Sequence, residues 1–225
     1  MALLSEQDRQ VVTRRLQALT HQVRLLFFTQ TIGAPDSTFV AKQILDELAS
    51  LSDQVTVEEV NLVLDRDRAE QYGIEQIPAV VLLKDDADTR MRFLGAPAGY
   101  EFMSLVEAVM LAGSDDSGLS AASRDLIAAR VKEPLNILVF VTPTCPHCPR
   151  AVTLAHRMAV ESPLVTATCV EATEFMDLSR RYRVNGVPKT VVNGTAEILG
   201  ALPEEQFVPG VLGSTPDTES PGTAD

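Results

Sequence analysis

The 225-residue sequence has no tryptophan, only three cysteines, and 19 basic residues against 31 acidic ones. Three cysteines rule out a disulfide-stapled secreted scaffold, which uses more of them and in even number. A formal net charge of −12 leaves no basic surface for nucleic acid or an anionic membrane. No run of 18 apolar residues occurs, so no helix is expected to span a bilayer. The first residues are apolar, but Glu6, Asp8, Arg9, Arg14 and Arg15 interrupt them, unlike a secretory leader. The expected compartment is therefore the cytoplasm. What remains, 45% apolar and 22% charged residues, fits a globular protein of one large or two ordinary domains.

Two of the cysteines stand together in Thr144-Cys145-Pro146-His147-Cys148-Pro149, between an apolar run at 135–141 and a helical pattern at 149–160. At a strand-to-helix junction, free backbone N–H groups and the positive end of the helix dipole favour a thiolate. A second thiol one turn deeper is within reach of a disulfide. Thiol–disulfide exchange needs that pairing of an accessible nucleophile with a shielded resolving thiol. The competing readings are two unrelated cysteines or half of a zinc site. Zinc usually needs a second ligand pair, and only Cys169, His21 and His156 remain as soft ligands. No metal and no bound organic cofactor is expected.

Along the chain, helical periodicity covers 5–19, 38–51, 66–72 and 100–111, with strand-like runs at 23–28, 55–64, 79–84 and 90–95. The Gly-Ser-Asp-Asp-Ser-Gly stretch at 113–118 has linker composition. Helices follow at 119–131, 149–160, 173–182 and 204–212, and strands at 135–141, 164–170, 189–192 and 196–199. Asn193-Gly194 joins the last two strands as a hairpin turn. The second list repeats the first. One offset lays Leu138-Val139-Phe140 on Leu26-Phe27-Phe28, Cys145 on Gly33 and Cys148 on Asp36. A slightly shorter one lays Val187-Pro188 on Ile77-Pro78 and Val165-Thr166 on Val55-Thr56. The expected organisation is a unit without redox cysteines at 1–113, a unit with the cysteine pair at 114–213, and a disordered tail at 214–225.

A strand, a Cys-x-x-Cys opening a helix, and a Val-Pro before a hairpin resemble the thioredoxin fold. The tandem arrangement is similar to the glutaredoxin-like protein disulfide oxidoreductases of thermophilic archaea and bacteria. The segment from Arg183 through Thr190, with Asn193-Gly194 and Leu199-Gly200-Ala201, carries that likeness most strongly. The resemblance implies an α/β protein of two tandem thioredoxin-like folds, each a mixed sheet flanked by helices. It implies that Cys145 attacks, that Cys148 resolves, and that Val187-Pro188 is a cis peptide beside the sulfurs. There the Val187 backbone would pair with an extended substrate. Pro78 should be cis as well. Its partners would be disulfide-containing proteins, acting from a monomer or a homodimer. A second resemblance, to the N-terminal part of the bacterial alkyl hydroperoxide reductase flavoprotein, implies a different place in the flow of electrons. There the chain would relay electrons from a thioredoxin-reductase-like flavoprotein to a peroxiredoxin. Two further readings are an iron–sulfur or metal-binding glutaredoxin-like module and a non-catalytic adaptor.

The chain departs from these patterns in two places. Gly33-Ala34-Pro35-Asp36 replaces the first Cys-x-x-Cys, and neither Gly nor Asp can form a mixed disulfide. Asp36 is left as an anion at a helix N-terminus. Thioredoxins often bury an acid six residues before the first cysteine. Here that position is Val139, which leaves Glu171 and Glu174 as acid–base candidates. The Pro146-His147 dipeptide is the one seen in strongly oxidising periplasmic disulfide oxidants. A His147 that stabilises the Cys145 thiolate would make that thiol more acidic than a free cysteine, about 8.5. It would also raise the potential, about 30 mV per 1.4 kcal/mol. Cys169 alternates with Val165 and Ala167 on a strand and reads as a buried small hydrophobe. His156 reads as a packed or surface histidine. Lys189, beside Pro188, either biases the thiolate or is a solvated strand-end cation.

Overall fold

The computed structural model describes residues 4–213, so the tail expected at 214–225 lies outside the described residues. The first half contains α1 (Glu6–Leu16), β1 (Val23–Thr29), α2 (Asp36–Ala49), β2 (Val55–Asn61), α3 (Arg66–Tyr72), β3 (Ala79–Lys84), β4 (Ala87–Leu94) and α4 (Glu101–Ala112). The second contains α5 (Ala121–Arg130), β5 (Leu135–Val141), α6 (Cys148–Glu161), β6 (Val165–Glu171), α7 (Met176–Arg181), β7 (Lys189–Val192), β8 (Ala196–Leu199) and α8 (Glu204–Leu212). The unbroken apolar runs of β1 and β3 become strands buried on both faces, as such runs require.

The two halves build one sheet, in the order β2-β1-β3-β4-β6-β5-β7-β8. The order of the first four strands is repeated in the last four. The link is a parallel pairing of β4 with β6, Met91 opposite Ala167 and Phe93 opposite Cys169. Alone, β4 and β6 would each expose a strand edge; pairing satisfies both ladders. Sequence reading expects a sheet in each unit but has no signal for this fusion. Strands β1, β2, β4, β5 and β6 run in one direction, so their carboxyl ends lie along one edge of the sheet. From that edge start α2, α3, α4, α6 and α7.

One face of the sheet carries α4 and α6 packed on each other, with α1, α2, α5 and α8 around them in a continuous apolar core. The other carries α3 and α7, each over its own small cluster around Phe28 or Phe140. Phe27, Phe28, Phe93, Phe140 and Phe207 are all fully buried. Each such ring contributes on the order of 1.5–3 kcal/mol by leaving water. Both expected cis peptides are present, Ile77-Pro78 and Val187-Pro188. In each half a glycine N–H donates to that proline's carbonyl, Gly95 to Pro78 and Gly200 to Pro188, both at 2.9 Å.

The linker composition at 113–118 does not produce a loose tether. Gly113 C=O accepts from Thr20 N–H at 3.1 Å, Lys84 Nζ reaches Ser114 C=O at 2.8 Å, and Ser117 Oγ donates to Glu161 at 2.5 Å. The segment is held by both halves. Asn193 and Gly194 both take positive φ, 48° and 73°, as a two-residue hairpin turn demands.

Candidate active site

Strand β5 ends at Val141, and the next six residues turn the chain into α6. Cys145 N–H donates to Thr142 C=O at 3.1 Å, and Cys148 N–H to Cys145 C=O at 3.4 Å. Helix α6 opens at Cys148, with Pro149 in its first turn, where a missing N–H costs nothing. Cys145 thus sits one turn ahead of the helix, in front of its free N–H groups. The two cysteines form a disulfide with a Cα–Cα distance of 5.5 Å. Cys148 is fully buried, while Cys145 keeps 8% of its surface. The contrast has the expected sign but is small, Cys145 being the more accessible of two buried residues. Pro146 and His147 are exposed. His147 occupies the N-cap position without a side-chain capping bond.

The cis Val187-Pro188 bond lies in a cavity of about 560 Å³ that is also lined by Arg183, Asn185, Lys189 and Leu199. Lys189 is neither a solvated cation nor a free charge for the thiolate. It is 3% exposed, with its ammonium on Glu197 at 2.8 Å and on the Tyr182 and Arg183 carbonyls at 2.7 and 3.3 Å. A buried ammonium must be paired this way. The effect is to pin the turn that precedes the cis bond.

Of the two acid–base candidates read from the sequence, Glu171 is held by local bonds and Glu174 by groups of the first unit. Glu171 accepts from the Thr173 hydroxyl at 2.8 Å and from Glu174 N–H at 2.5 Å. Glu174 is raised by burial, against the opposing pull of Ser37 and of the Ala96 N–H at 2.9 Å. Glu171 is itself 3% exposed, and a second buried acid comes from the first unit. Glu101, in the first turn of α4, is 1% exposed. Burial pushes its carboxyl up to about 7, with Ser104 and Cys169 opposing. The Cys169 thiol donates to Glu101 Oε2 at 3.7 Å. Cys169 itself is buried, as expected, and burial raises its thiol further. In register Cys169 lies opposite Val139, the position where the sequence lacks an acid.

The start of α4 is clamped to the active-site loop. Tyr100 N–H donates to Pro143 C=O at 3.0 Å. Gly99, at φ 60°, passes so close to that carbonyl that any Cβ would collide with it. Sequence reading misses Glu101 because an acid opening an amphipathic helix is ordinary. The one local hint is its company, Phe102, Met103, Leu105 and Val106. His156 resolves to a core residue. It is 1% exposed, edge-on to Phe93 of the first unit at 5.2 Å, and burial pushes it down to about 4. Among the described residues no group of three or more His, Cys, Asp or Glu could hold a metal ion, and no helix is long and apolar enough to cross a membrane.

Comparison with known proteins places this geometry. A thioredoxin-domain family model matches residues 135–213. The alkyl hydroperoxide reductase AhpF of Staphylococcus epidermidis is 26% identical over 193 residues, 84% of this chain and 34% of the relative. A protein named NADH dehydrogenase from Ferdinandcohnia aciditolerans is 28% identical over 177 residues, 77% of this chain and 31% of the relative. The chain thus spans about a third of the length of these curated relatives. Among solved structures, the N-terminal domain of alkylhydroperoxide reductase AhpF from Enterococcus faecalis superposes with a TM-score of 0.86. It is 30% identical, and the match covers 92% of this chain and 99% of that one. A protein disulfide oxidoreductase from Aeropyrum pernix gives a TM-score of 0.83 at 28% identity, covering 92% and 91%.

Proposed function

Because the chain belongs to the tandem thioredoxin-fold family of the AhpF N-terminal domain, we propose that Cys145 and Cys148 act as its exchange dithiol, relaying electrons to a peroxidase. The observation that carries this reading is the disulfide itself, set at the carboxyl edge of the sheet with Cys145 the more accessible of the pair. In the reduced chain the Cys145 thiolate attacks a disulfide sulfur of the partner. The Cys145–partner bond forms, the partner's own bond breaks, and its leaving thiolate takes a proton. Cys148 then loses its proton and attacks Cys145 Sγ, closing the intramolecular disulfide and releasing the partner's second thiolate. Two electrons have moved outward. A dithiol on a flavoprotein reverses both steps and resets the pair.

The acid–base group we assign to the second step is Glu101, buried on α4 against the Cys169 thiol. A carboxyl with a pKa near 7 can take a proton from a buried thiol and return it within the physiological range. What supports this assignment is that Glu101, on α4, is bonded to the Cys169 thiol, which lies in register opposite Val139. The cavity beside Val187 would receive the extended segment of the partner that carries its disulfide. The relay reading is favoured over a free-standing disulfide oxidoreductase because several of the curated relatives carry the name of the AhpF component of alkyl hydroperoxide reductase. We place this chemistry in the cytoplasm.

Two measurements test the proposal. A coupled assay with NADH, a thioredoxin-reductase-type flavoprotein and a two-cysteine peroxiredoxin should consume peroxide only when the chain is present. Cys148→Ser should accumulate a covalent adduct on Cys145 that dithiothreitol releases. A chain that supports neither turnover nor adduct formation is not a relay.

A further inference from the structure

The turn that delivers Cys145 has few bonds of its own. Thr142 to Cys145 form a β-turn closed by the 3.1 Å bond from Cys145 N–H, with Pro143 at its second position, where proline is favoured. The following turn is closed by Cys148 N–H on Cys145 C=O at 3.4 Å, a long bond. The carbonyl at the apex, that of Pro143, accepts from the other unit, from Tyr100 N–H at 3.0 Å. Among the described residues no group of the second unit is bonded to it. The matching residue of the first unit, Thr31, is bonded within its own unit, its hydroxyl to Asn61 Nδ2 at 3.5 Å.

Gly99 is what permits that approach. Its φ of 60° turns the chain into α4, and a Cβ there would collide with the Pro143 carbonyl group. Glycine is required at this position for the backbone shape and again for the contact. Both sides of the contact are seated on rigid parts. Tyr100 is the residue from which α4 starts, and α4 packs on α6, the helix that Cys148 opens. Beneath them β4 pairs with β6, and β6 with β5, the strand that leads into the cysteine turn. The first unit thus grips the one loop of the second that carries sulfur.

We propose that Gly99 is a positioning residue for the dithiol: with the Tyr100 backbone N–H it latches the Pro143 carbonyl, keeps Cys145 within closing distance of Cys148, and so sets how readily the disulfide forms. This rests on the reading of Cys145 and Cys148 as an exchange pair and holds whichever partner that pair serves. Closure joins the two sulfurs, and the two protons and two electrons released reduce an external disulfide to two thiols. It is favoured when the reduced sulfurs are already placed, because their freedom does not have to be removed as the bond forms. Without the latch, Cys145 moves away from Cys148 in the reduced state and the closed form loses that advantage.

Redox equilibrium with glutathione reads the effect. The fraction of Cys145–Cys148 disulfide is measured against the ratio of oxidised to reduced glutathione, for the full chain and its variants. Tyr100→Pro removes the donor and keeps the backbone, since Tyr100 already has φ −64°, the value proline imposes. Tyr100→Ala removes the exposed ring and keeps the N–H. The latch predicts that the equilibrium constant for closure falls about tenfold in Tyr100→Pro, about 30 mV, and stays within about twofold of wild type in Tyr100→Ala. Gly99→Ala, which displaces Pro143 by collision, should lower it as well. Gly73→Ala is the control for backbone strain alone: its φ is 65°, and a Cβ there meets nothing within 4 Å. It should lose stability toward urea and keep the wild-type redox equilibrium. A closure constant that is unchanged or raised in Tyr100→Pro and Gly99→Ala, or lowered equally in Gly73→Ala, overturns the latch and leaves the dithiol standing. A wild-type chain whose thiols do not close reversibly in glutathione overturns the dithiol reading, and the latch with it. If Tyr100→Pro fails to fold, Gly99→Ala against Gly73→Ala decides the question.

Discussion

The two halves of this chain share strand order, cis proline and glycine–proline hydrogen bond, yet only one carries thiols. The difference runs deeper than the two side chains. Gly33, at the place of Cys145, has φ 74°, a region in which an L-residue is strained, whereas Cys145 has no such backbone. The first loop has therefore lost the shape as well as the sulfur. The first unit instead contributes the buried acid Glu101 and the strand β4 that pairs with β6 across the joint. The fold is duplicated, but the cysteine pair is present in one copy only.

The sharpest way to break that comparison is to swap thiols between the copies. Cys145→Ser should lower disulfide exchange by about a thousandfold or more, since nucleophile and leaving group both vanish. Installing Gly33→Cys with Asp36→Cys in that background should restore less than about a hundredth of the lost activity, because the Gly33 backbone resists a side chain. Insulin reduction followed by turbidity reads both. Substantial recovery would show that the first loop lost only its sulfurs.

Next come two buried titratable groups, one in each unit, with opposite signs. Glu101 is raised from about 4.5 to about 7. The folded state holds its proton more tightly, so this group's stability contribution is full below about pH 4.5 and is lost as pH rises through 7. His156 is lowered from 6.5 to about 4, so the unfolded state holds that proton more tightly. Its contribution is full above about pH 6.5 and is lost as pH falls through 4. Each effect is on the order of 3 kcal/mol. The two slopes nearly cancel between pH 4.5 and 6.5. Urea denaturation should find Glu101→Gln gaining relative to wild type as pH rises through 7, and His156→Leu gaining as pH falls below 6. A variant whose stability tracks wild type at every pH would contradict the assigned burial. Glu101→Gln should also flatten the rise of exchange rate near pH 7, which a purely structural role would not do.

The smallest effect is expected at Lys189, whose counterpart in the first unit is Ala79. Lys189→Ala should cost about 1–3 kcal/mol, from the two carbonyls left without their donor. Because those carbonyls belong to Tyr182 and Arg183, ahead of Val187-Pro188, the KM for a protein disulfide should rise more than kcat falls. An unchanged KM would free the cis-proline turn from this anchor.

Much of this was legible in one dimension because it is local. Periodicity located every helix and strand to within a few residues, and Asn193-Gly194 marked its hairpin. Self-comparison exposed the repeat and the missing thiols, and the spacing of Cys145 and Cys148 placed them within reach of the disulfide that they form. Three features were not legible, and each joins residues far apart in the chain. Lys189 looked like a surface lysine until Glu197 and two carbonyls closed around it. Glu101 looked like a helix-opening acid until α6 and Cys169 covered it. Linker composition at 113–118 suggested freedom that bonds from both halves remove.

Amino-acid order alone was enough to specify the elements, the duplication and the paired sulfurs, since backbone preference and spacing act between near neighbours. Only folding in three dimensions decided that two sheets become one and which charged side chains are kept from water. Those outcomes depend on burial and on strand pairing across the unit boundary, and neither has a value until distant segments meet.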